Sequence, residues 1–375
     1  MKGIECIELR KFITEYKQKN EKNEFKPVAV GKYGIRTRES IYSKELAKDY
    51  SKNKIIFKNT LTVGMGSRQI DIGILTDDVI YSVSPAYHTY KISGINADYL
   101  RYCLMCRNED MFKRFVKRGS RQGKSIDLKR WLEYEIPVYD VCNQEKIVLK
   151  LNKVTNVISM RKQQLQKLDE LIQARFVEMF GDPVCNSHDL PEATLPELGE
   201  FGRGVSKHRP RNDSNLLGGR YPLIQTGDVA TSELYITSYT NTYSELGLKQ
   251  SKMWKKGTLC ITIAATIAKT AILAFDACFP DSVVGFIANE KTNNVFVHYW
   301  FTFFQSILEA QAPESAQKNI NLKILSELKI IVPKKELQDE FVTFVKQVNK
   351  SKVEIQQALE KTQLLFDSLM QQYFG

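Results

Sequence analysis

Gln144-Glu145-Lys146-Ile147-Val148-Leu149-Lys150-Leu151 opens a segment that closes at Phe180-Gly181, and Gln338-Asp339-Glu340-Phe341 opens another that closes at Phe374-Gly375. Gln144, Leu165, Lys167, Phe180 and Gly181 recur as Gln338, Leu359, Lys361, Phe374 and Gly375, each 194 residues later. The match continues upstream without a gap: Lys124-Ser125-Ile126-Asp127-Leu128-Lys129 aligns with Lys318-Asn319-Ile320-Asn321-Leu322-Lys323. An internal repeat of this kind constrains a fold more than any single motif.

Both copies read as helix. Apolar residues fall at Ile147, Leu151, Val154, Ile158, Leu165, Leu168, Ile172, Phe176 and Met179 in the first, and at Phe341, Val345, Val348, Ile355, Leu359, Phe366, Leu369 and Tyr373 in the second. Steps of three and four make a heptad seam, with Arg161, Lys352 and Thr362 in core slots. No Pro or Gly interrupts either copy, and Gly181-Asp182-Pro183 supplies a glycine stop followed by proline. At about 36 residues each helix runs roughly 55 Å. A single apolar stripe of that length needs a partner, and each copy offers itself to the other. An antiparallel pair would relate the two halves by an approximate twofold axis. The alternative is that each helix packs on its own domain. The polar slots suit a partly exposed seam or a register-setting contact.

Outside the helices lie two segments that barely match each other. The expected organisation is a globular domain over 1–143, a helix over 144–183, a second globular domain over 184–335 and a second helix over 336–375. The fold class is mixed α/β. Lys54-Ile55-Ile56-Phe57 and Leu259-Cys260-Ile261-Thr262-Ile263 read as strands between polar turns. Asp98–Leu104 and Val297–Phe303 read as helices at comparable places.

The 375 residues, 43% hydrophobic and 26% charged, suit two or three packed domains rather than a disordered chain. Net charge is +11, and residues 1–143 hold 27 Lys and Arg against 18 Asp and Glu, or +9 of it. Such an excess favours a polyanionic partner. No apolar run approaches the roughly 20 residues of a membrane span, and Met1-Lys2-Gly3-Ile4-Glu5-Cys6 lacks a secretory core, so no membrane partner and a cytoplasmic location are expected. Cys103 and Cys106 form a lone Cys-x-x-Cys on an apolar helix face, without the second pair that zinc needs.

Catalytic patterns fail on inspection. Gly119-Ser120-Arg121-Gln122-Gly123-Lys124-Ser125 has one residue too few between its glycines for a phosphate-binding loop. Pro280-Asp281 with Glu290-Lys291 lacks the spacing of a metal-dependent nuclease core. Gly64-Met65-Gly66 is too little for a dinucleotide fingerprint. His88, His188, His208 and His298 show no metal-ligand spacing. Neither a catalytic residue nor a metal ligand is expected. Basic loops remain: Gly31-Lys32-Tyr33-Gly34-Ile35-Arg36-Thr37-Arg38, Gly66-Ser67-Arg68-Gln69, Val116-Lys117-Arg118-Gly119-Ser120-Arg121-Gln122, and Phe201-Gly202-Arg203-Gly204-Val205-Ser206-Lys207-His208-Arg209-Pro210-Arg211. Arginine reads guanine bidentately, glutamine reads adenine, and lysine holds phosphates. These loops make Lys32, Tyr33, Arg36, Arg38, Arg68, Gln69, Arg118, Arg121, Arg203, Lys207, His208, Arg209 and Arg211 candidates for contact with double-stranded DNA.

The ordered, duplicated landmarks resemble the specificity subunit of type I restriction–modification enzymes over essentially the whole chain. They are Lys124-x-Ile126 and Gln317-Lys318-Asn319-Ile320, then Glu135-Ile136-Pro137 and Ile330-Ile331-Val332-Pro333, then the two helix starts. Tyr221-Pro222-Leu223-Ile224-Gln225-Thr226-Gly227-Asp228-Val229 looks like that family's recognition-domain entry strand. Lys256-Gly257-Thr258-Leu259 leading to Ile267-Ala268-Lys269-Thr270-Ala271 is similar too. With these motifs Lys124, Lys318, Thr226 and Lys269 join the candidate DNA contacts. The first domain departs from the pattern: Lys26-Pro27-Val28-Ala29-Val30-Gly31 is followed by no Asp-Val pair. The resemblance implies two recognition domains, each reading half of a bipartite target, with an antiparallel coiled coil setting the spacer. It further implies two DNA-methylating modification subunits carrying S-adenosylmethionine, and restriction subunits (translocase and endonuclease) using ATP and Mg. The chain itself would hold no cofactor. Rival readings are a nuclease or methylase acting alone, which would need a complete catalytic motif, and a coiled-coil adaptor without a DNA role.

Overall fold

The computed structural model describes residues 4–32, 34–41, 49–119, 123–210, 213–264, 267–311 and 322–375. The chain divides into two compact units, Met1–Gln163 with Gln356–Gly375, and Gln164–Ile355. Two uninterrupted helices of 40 residues dominate: a central helix, Val141–Phe180, and a C-terminal helix, Lys335–Phe374. Each unit therefore contains one globular domain and a portion of both helices.

In the first unit a four-stranded antiparallel sheet runs in the order Ile13–Glu15, His88–Ile92, Thr60–Met65, Ile70–Leu75. Hairpin Val28–Gly31 with Gly34–Thr37 and the pair Lys54–Ile56 with Tyr81–Val83 lie alongside as separate ladders. Helix Ala97–Cys106 starts where the Asn96 side chain accepts a bond from Tyr99 N. It buries Tyr99, Leu100, Tyr102, Cys103 and Leu104 in a core with Leu61, Val63, Ile70 and Trp131. Ile147, Val148 and Leu151 of the central helix join that core, as do Met370 and Phe374 of the C-terminal helix.

In the second unit a five-stranded sheet runs Gly199–Arg203, Val283–Ala288, Leu259–Thr262, Thr270–Leu273, Tyr235–Ile236, with only the last pair parallel. A four-stranded sheet runs Asn241–Tyr243, Leu217–Leu223, Ala277–Cys278, Met253–Trp254. Helix Asn294–Gln311 buries Phe296, Val297, Trp300 and Phe301 against Ile172, Phe176 and Phe180 of the central helix and Phe341, Val345 and Val348 of the C-terminal helix.

The repeat in sequence reappears as repeated fastening. Strand Glu5–Glu8 pairs with Glu135–Val138, just before the central helix; Glu192–Thr194 pairs with Lys329–Ile331, just before the C-terminal helix. Gln144 is buried, donates to Tyr139 O at 2.7 Å and accepts from Asn96 N at 2.9 Å. Gln338 is buried likewise, donates to Pro333 O at 2.8 Å and Lys291 O at 3.0 Å, and accepts from Thr292 Oγ1 at 2.9 Å. One amide thus ties a helix start to the strand before it and to the head of a domain helix. At the far ends, Phe374 sits edge-on to Tyr99 with centroids 5.1 Å apart, and Phe180 meets Phe296 and Phe341 at 5.1 and 5.7 Å. Gly181 ends the central helix at φ +75; a Cβ there would lie 2.5 Å from Ser187 Oγ.

The helices pair antiparallel in both units. In the first, Lys150 reaches Tyr373 OH at 3.5 Å and Arg161 reaches Ala358 O and Thr362 Oγ1. In the second, Asp169 pairs with Lys352 at 2.8 Å and Arg175 with Glu340 at 3.0 Å, while Phe176 lies edge-on to Phe341. Rising numbers in one helix meet falling numbers in the other.

Three local readings of the sequence need correction. Tyr221–Val229 is not one strand. The strand ends at Leu223, and Thr226–Thr231 is a short helix because Asp228 accepts the Gln225 N–H at 2.8 Å in a capping box. Val116–Gly119 is not loop but half of a hairpin with Gly123–Ile126, held at its base by Lys117–Asp127 at 2.7 Å. Phe201–Arg203 belongs to a strand, so the basic loop begins at Gly204.

Candidate nucleic-acid interface

In the first unit the expected contacts converge from separate elements. Gly31 and Lys32 lie at the tip of one hairpin and Gly34–Thr37 is its return strand; Gly66–Gln69 is the turn between Thr60–Met65 and Ile70–Leu75. That turn closes with Gly66 N donating to Gln69 O at 3.1 Å, and leaves Arg68 exposed. Lys32, Arg36 and Gln69 line one cleft of about 510 Å³, floored by Ile70, Ile72 and Ile74. Lys32 and Arg36 are exposed at its edge. Lys124 donates to Ser67 O of the neighbouring turn and lies 5.4 Å from the Phe112 ring. Ladder register sets Arg118 opposite Lys124 along the backbone. Arg38 behaves differently: it is half-buried, with its guanidinium 5.3 Å from the Tyr50 ring.

The cleft also contains residues that the loop-by-loop reading missed. Arg101, Met105 and Asn108 line it from a helical segment. Their spacing of four and three, which sets them on one helical face, was the available signal, and Met105 is 52% exposed there. Arg101 is braced by Asp98 at 2.6 Å. Asn108 grips Ile70 by both backbone groups, accepting from its N at 3.1 Å and donating to its O at 2.8 Å, and so fixes the floor of the cleft.

In the second unit Arg203 is exposed at the end of strand Gly199–Arg203, and Lys207 is exposed on the loop that follows it. His208 Nε2 lies 3.1 Å from Asp213 Oδ2. The Asn215 backbone N–H and His208 hold that carboxyl below the usual carboxylate range. Arg209 donates to Ser206 O at 2.6 Å and His208 O at 2.9 Å, and sits 3.4 Å from Asp281. It therefore shapes the loop, a role the sequence did not disclose. Thr226 begins the short capped helix. Lys269 lines a different cavity of about 250 Å³ with Asp169, Glu233, His298, Tyr299 and Lys352. There burial holds the His298 imidazole down at about 4, with Thr270 Oγ1 2.9 Å from its Nδ1. Tyr33, Arg121, Arg211 and Lys318 lie outside the described residues, as does the Arg118 side chain.

Among the described residues no group of three His, Cys, Asp or Glu is placed to hold a metal, and no helix is long and apolar enough to cross a membrane. Cys103 is buried and Cys106 half-buried; both are free thiols pushed up by burial.

The sequence pattern of the family described as type I restriction modification DNA specificity domain matches twice, over residues 7–170 and 192–364. A protein named as the type I restriction enzyme MjaX specificity subunit of Methanocaldococcus jannaschii is 23% identical over 286 residues, 70% of this chain and 65% of that protein. The chain thus spans about two thirds, and slightly under, of that relative's length. The type I restriction–modification S subunit from M. genitalium has a similar fold, with a TM-score of 0.56 and 14% identity over 99% of this chain and 96% of the other. A chain from a structure on complex assembly and conformational transition of the type I R-M system gives a TM-score of 0.59 and 16% identity, over 100% and 98%.

Proposed function

The chain belongs to the type I restriction modification DNA specificity family, and from that premise we propose that it is the DNA-reading subunit of a type I restriction–modification complex. Each globular domain reads one part of a bipartite duplex target. The paired helices fix the unread spacer, since half-site spacing reports protein geometry. The observation that carries this reading is the duplicated fastening. Gln144 and Gln338, then Phe180 and Phe374, anchor two unlike domains to one helix pair in equivalent ways.

Within this reading Lys32, Arg36, Arg68, Gln69 and Lys124 face DNA from the first domain, with Arg101 added. Arg203 and Lys207 do so from the second. Arg209 and Asn108 shape the surfaces without needing to touch DNA. The chain performs no chemistry itself. Two modification subunits supply methylation with S-adenosylmethionine, and restriction subunits supply translocation and cleavage with ATP and Mg, all in the cytoplasm where the cell's DNA lies.

Exchange of residues 184–335 for the second domain of another family member tests the split. The methylated sequence should change in one half only; a change in both halves would contradict it. Incubation of the purified chain with a labelled methyl donor, without partners, separates this function from a methylase acting alone: transfer by the lone chain would refute the subunit reading.

A further inference from the structure

The helix seam is not symmetric, although the helices are copies. In the first unit Arg161 is half-buried and donates to Ala358 O and Thr362 Oγ1. Shifted by the 194-residue repeat, Arg161 and Thr362 become Ile355 and Leu168, an apolar couple. In the second unit Lys352 is only 7% exposed and pairs with Asp169 at 2.8 Å and Glu233 at 2.5 Å. Burial opposes its charge, but the two carboxylates more than compensate, and its pKa is raised. The equivalents of Lys352 and Asp169 are Ile158, itself buried, and Gln363. Each polar lock therefore has one half in each helix, and neither helix carries both halves.

We infer that this seam selects the central helix and C-terminal helix of one chain as partners and rejects like-with-like pairing between two copies of the chain. Two central helices in the same antiparallel register would set Arg161 against Leu168 and Asp169 against Ile158, twice over by symmetry. Two C-terminal helices would set Lys352 against Gln363 in place of the Asp169 carboxylate. A buried cation without an acceptor is costly, and polar core residues of coiled coils fix partner and register by this penalty. Such selection matters for a chain whose two helices are near-identical in length and apolar pattern, because its nascent copies would otherwise cross-pair.

Two differently tagged full-length chains, mixed in denaturant and refolded together at high concentration, provide the test. Exchange of a central helix for the C-terminal helix of another chain makes the same contacts as the closed chain, so it does not depend on seam chemistry. Only like-with-like pairing does. Arg161→Ile with Thr362→Leu copies the apolar couple into the first unit. Lys352→Ile with Asp169→Gln copies the other pair into the second. Each double variant should raise co-capture of the second tag at least about tenfold over the wild type, equivalent to ~1.4 kcal/mol, while thermal melting stays cooperative. Should one double variant fail to melt cooperatively, the other carries the test. Co-capture at the wild-type level in a folded variant would overturn the inference.

Discussion

Gln144 and Gln338 show how a single side chain can fasten a domain to a helix. Each is a buried amide that donates to the carbonyl ahead of its helix and accepts a bond from the head of a domain helix. Gln338→Leu would leave Pro333 O, Lys291 O and Thr292 Oγ1 without that partner, at a cost of about 1–3 kcal/mol. Urea unfolding reads the loss, and an unchanged midpoint would show the amide to be dispensable. His298 makes a second prediction. Its imidazole sits at about 4 in the fold, below its ordinary 6.5, so the unfolded chain binds the proton first. The stability this confers is complete above about pH 6.5 and is lost as pH falls toward 4, by up to about 3 kcal/mol. His298→Gln should flatten that part of the profile of melting temperature against pH; parallel profiles would contradict the assignment. Arg36, exposed at the cleft edge, should contribute a phosphate or base contact. Arg36→Ala should weaken DNA binding and reduce the slope of log affinity against log salt by about 1; unchanged binding would remove it from the interface. Residue by residue the sequence was a partial guide. Basic loops made Lys32, Arg36 and Gln69 candidates, and the structure sets all three on one cleft. Arg209's turn inward to its own loop carbonyls, and Arg101's arrival from a helix, depend on tertiary placement that local pattern does not encode.

At the level of elements, the long helices were legible because a heptad stripe without Pro or Gly has few alternative readings. Their observed bounds begin a few residues before the expected 144 at one and at Lys335 in the other. The misread segments share a cause. Thr226–Thr231 and Val116–Gly119 are short, so a capping box in one and cross-strand pairing in the other decide their state against weak intrinsic preference. Aromatic plugs at the helix ends carry the next prediction. Phe374 is fully buried against Tyr99, and Phe374→Ala should cost about 3–5 kcal/mol. Hydrogen exchange should show the loss at helix Ala97–Cys106; protection unchanged there would contradict the plug.

For the whole molecule, the repeat pointed to two paired helices alternating with two unlike domains, since a long apolar stripe needs a partner. What it could not convey is the face each unlike domain offers to DNA, because the globular sequences share landmarks and little else. The most direct measurement is methylome sequencing of cells that carry this chain with a modification subunit, first as the wild type and then with one heptad inserted in both helices. The wild type should give one bipartite motif with a fixed spacer. The insertion should keep both specific halves and change the spacer, or abolish modification. A single contiguous motif, or a bipartite motif whose spacer survives the insertion unchanged, would contradict the account.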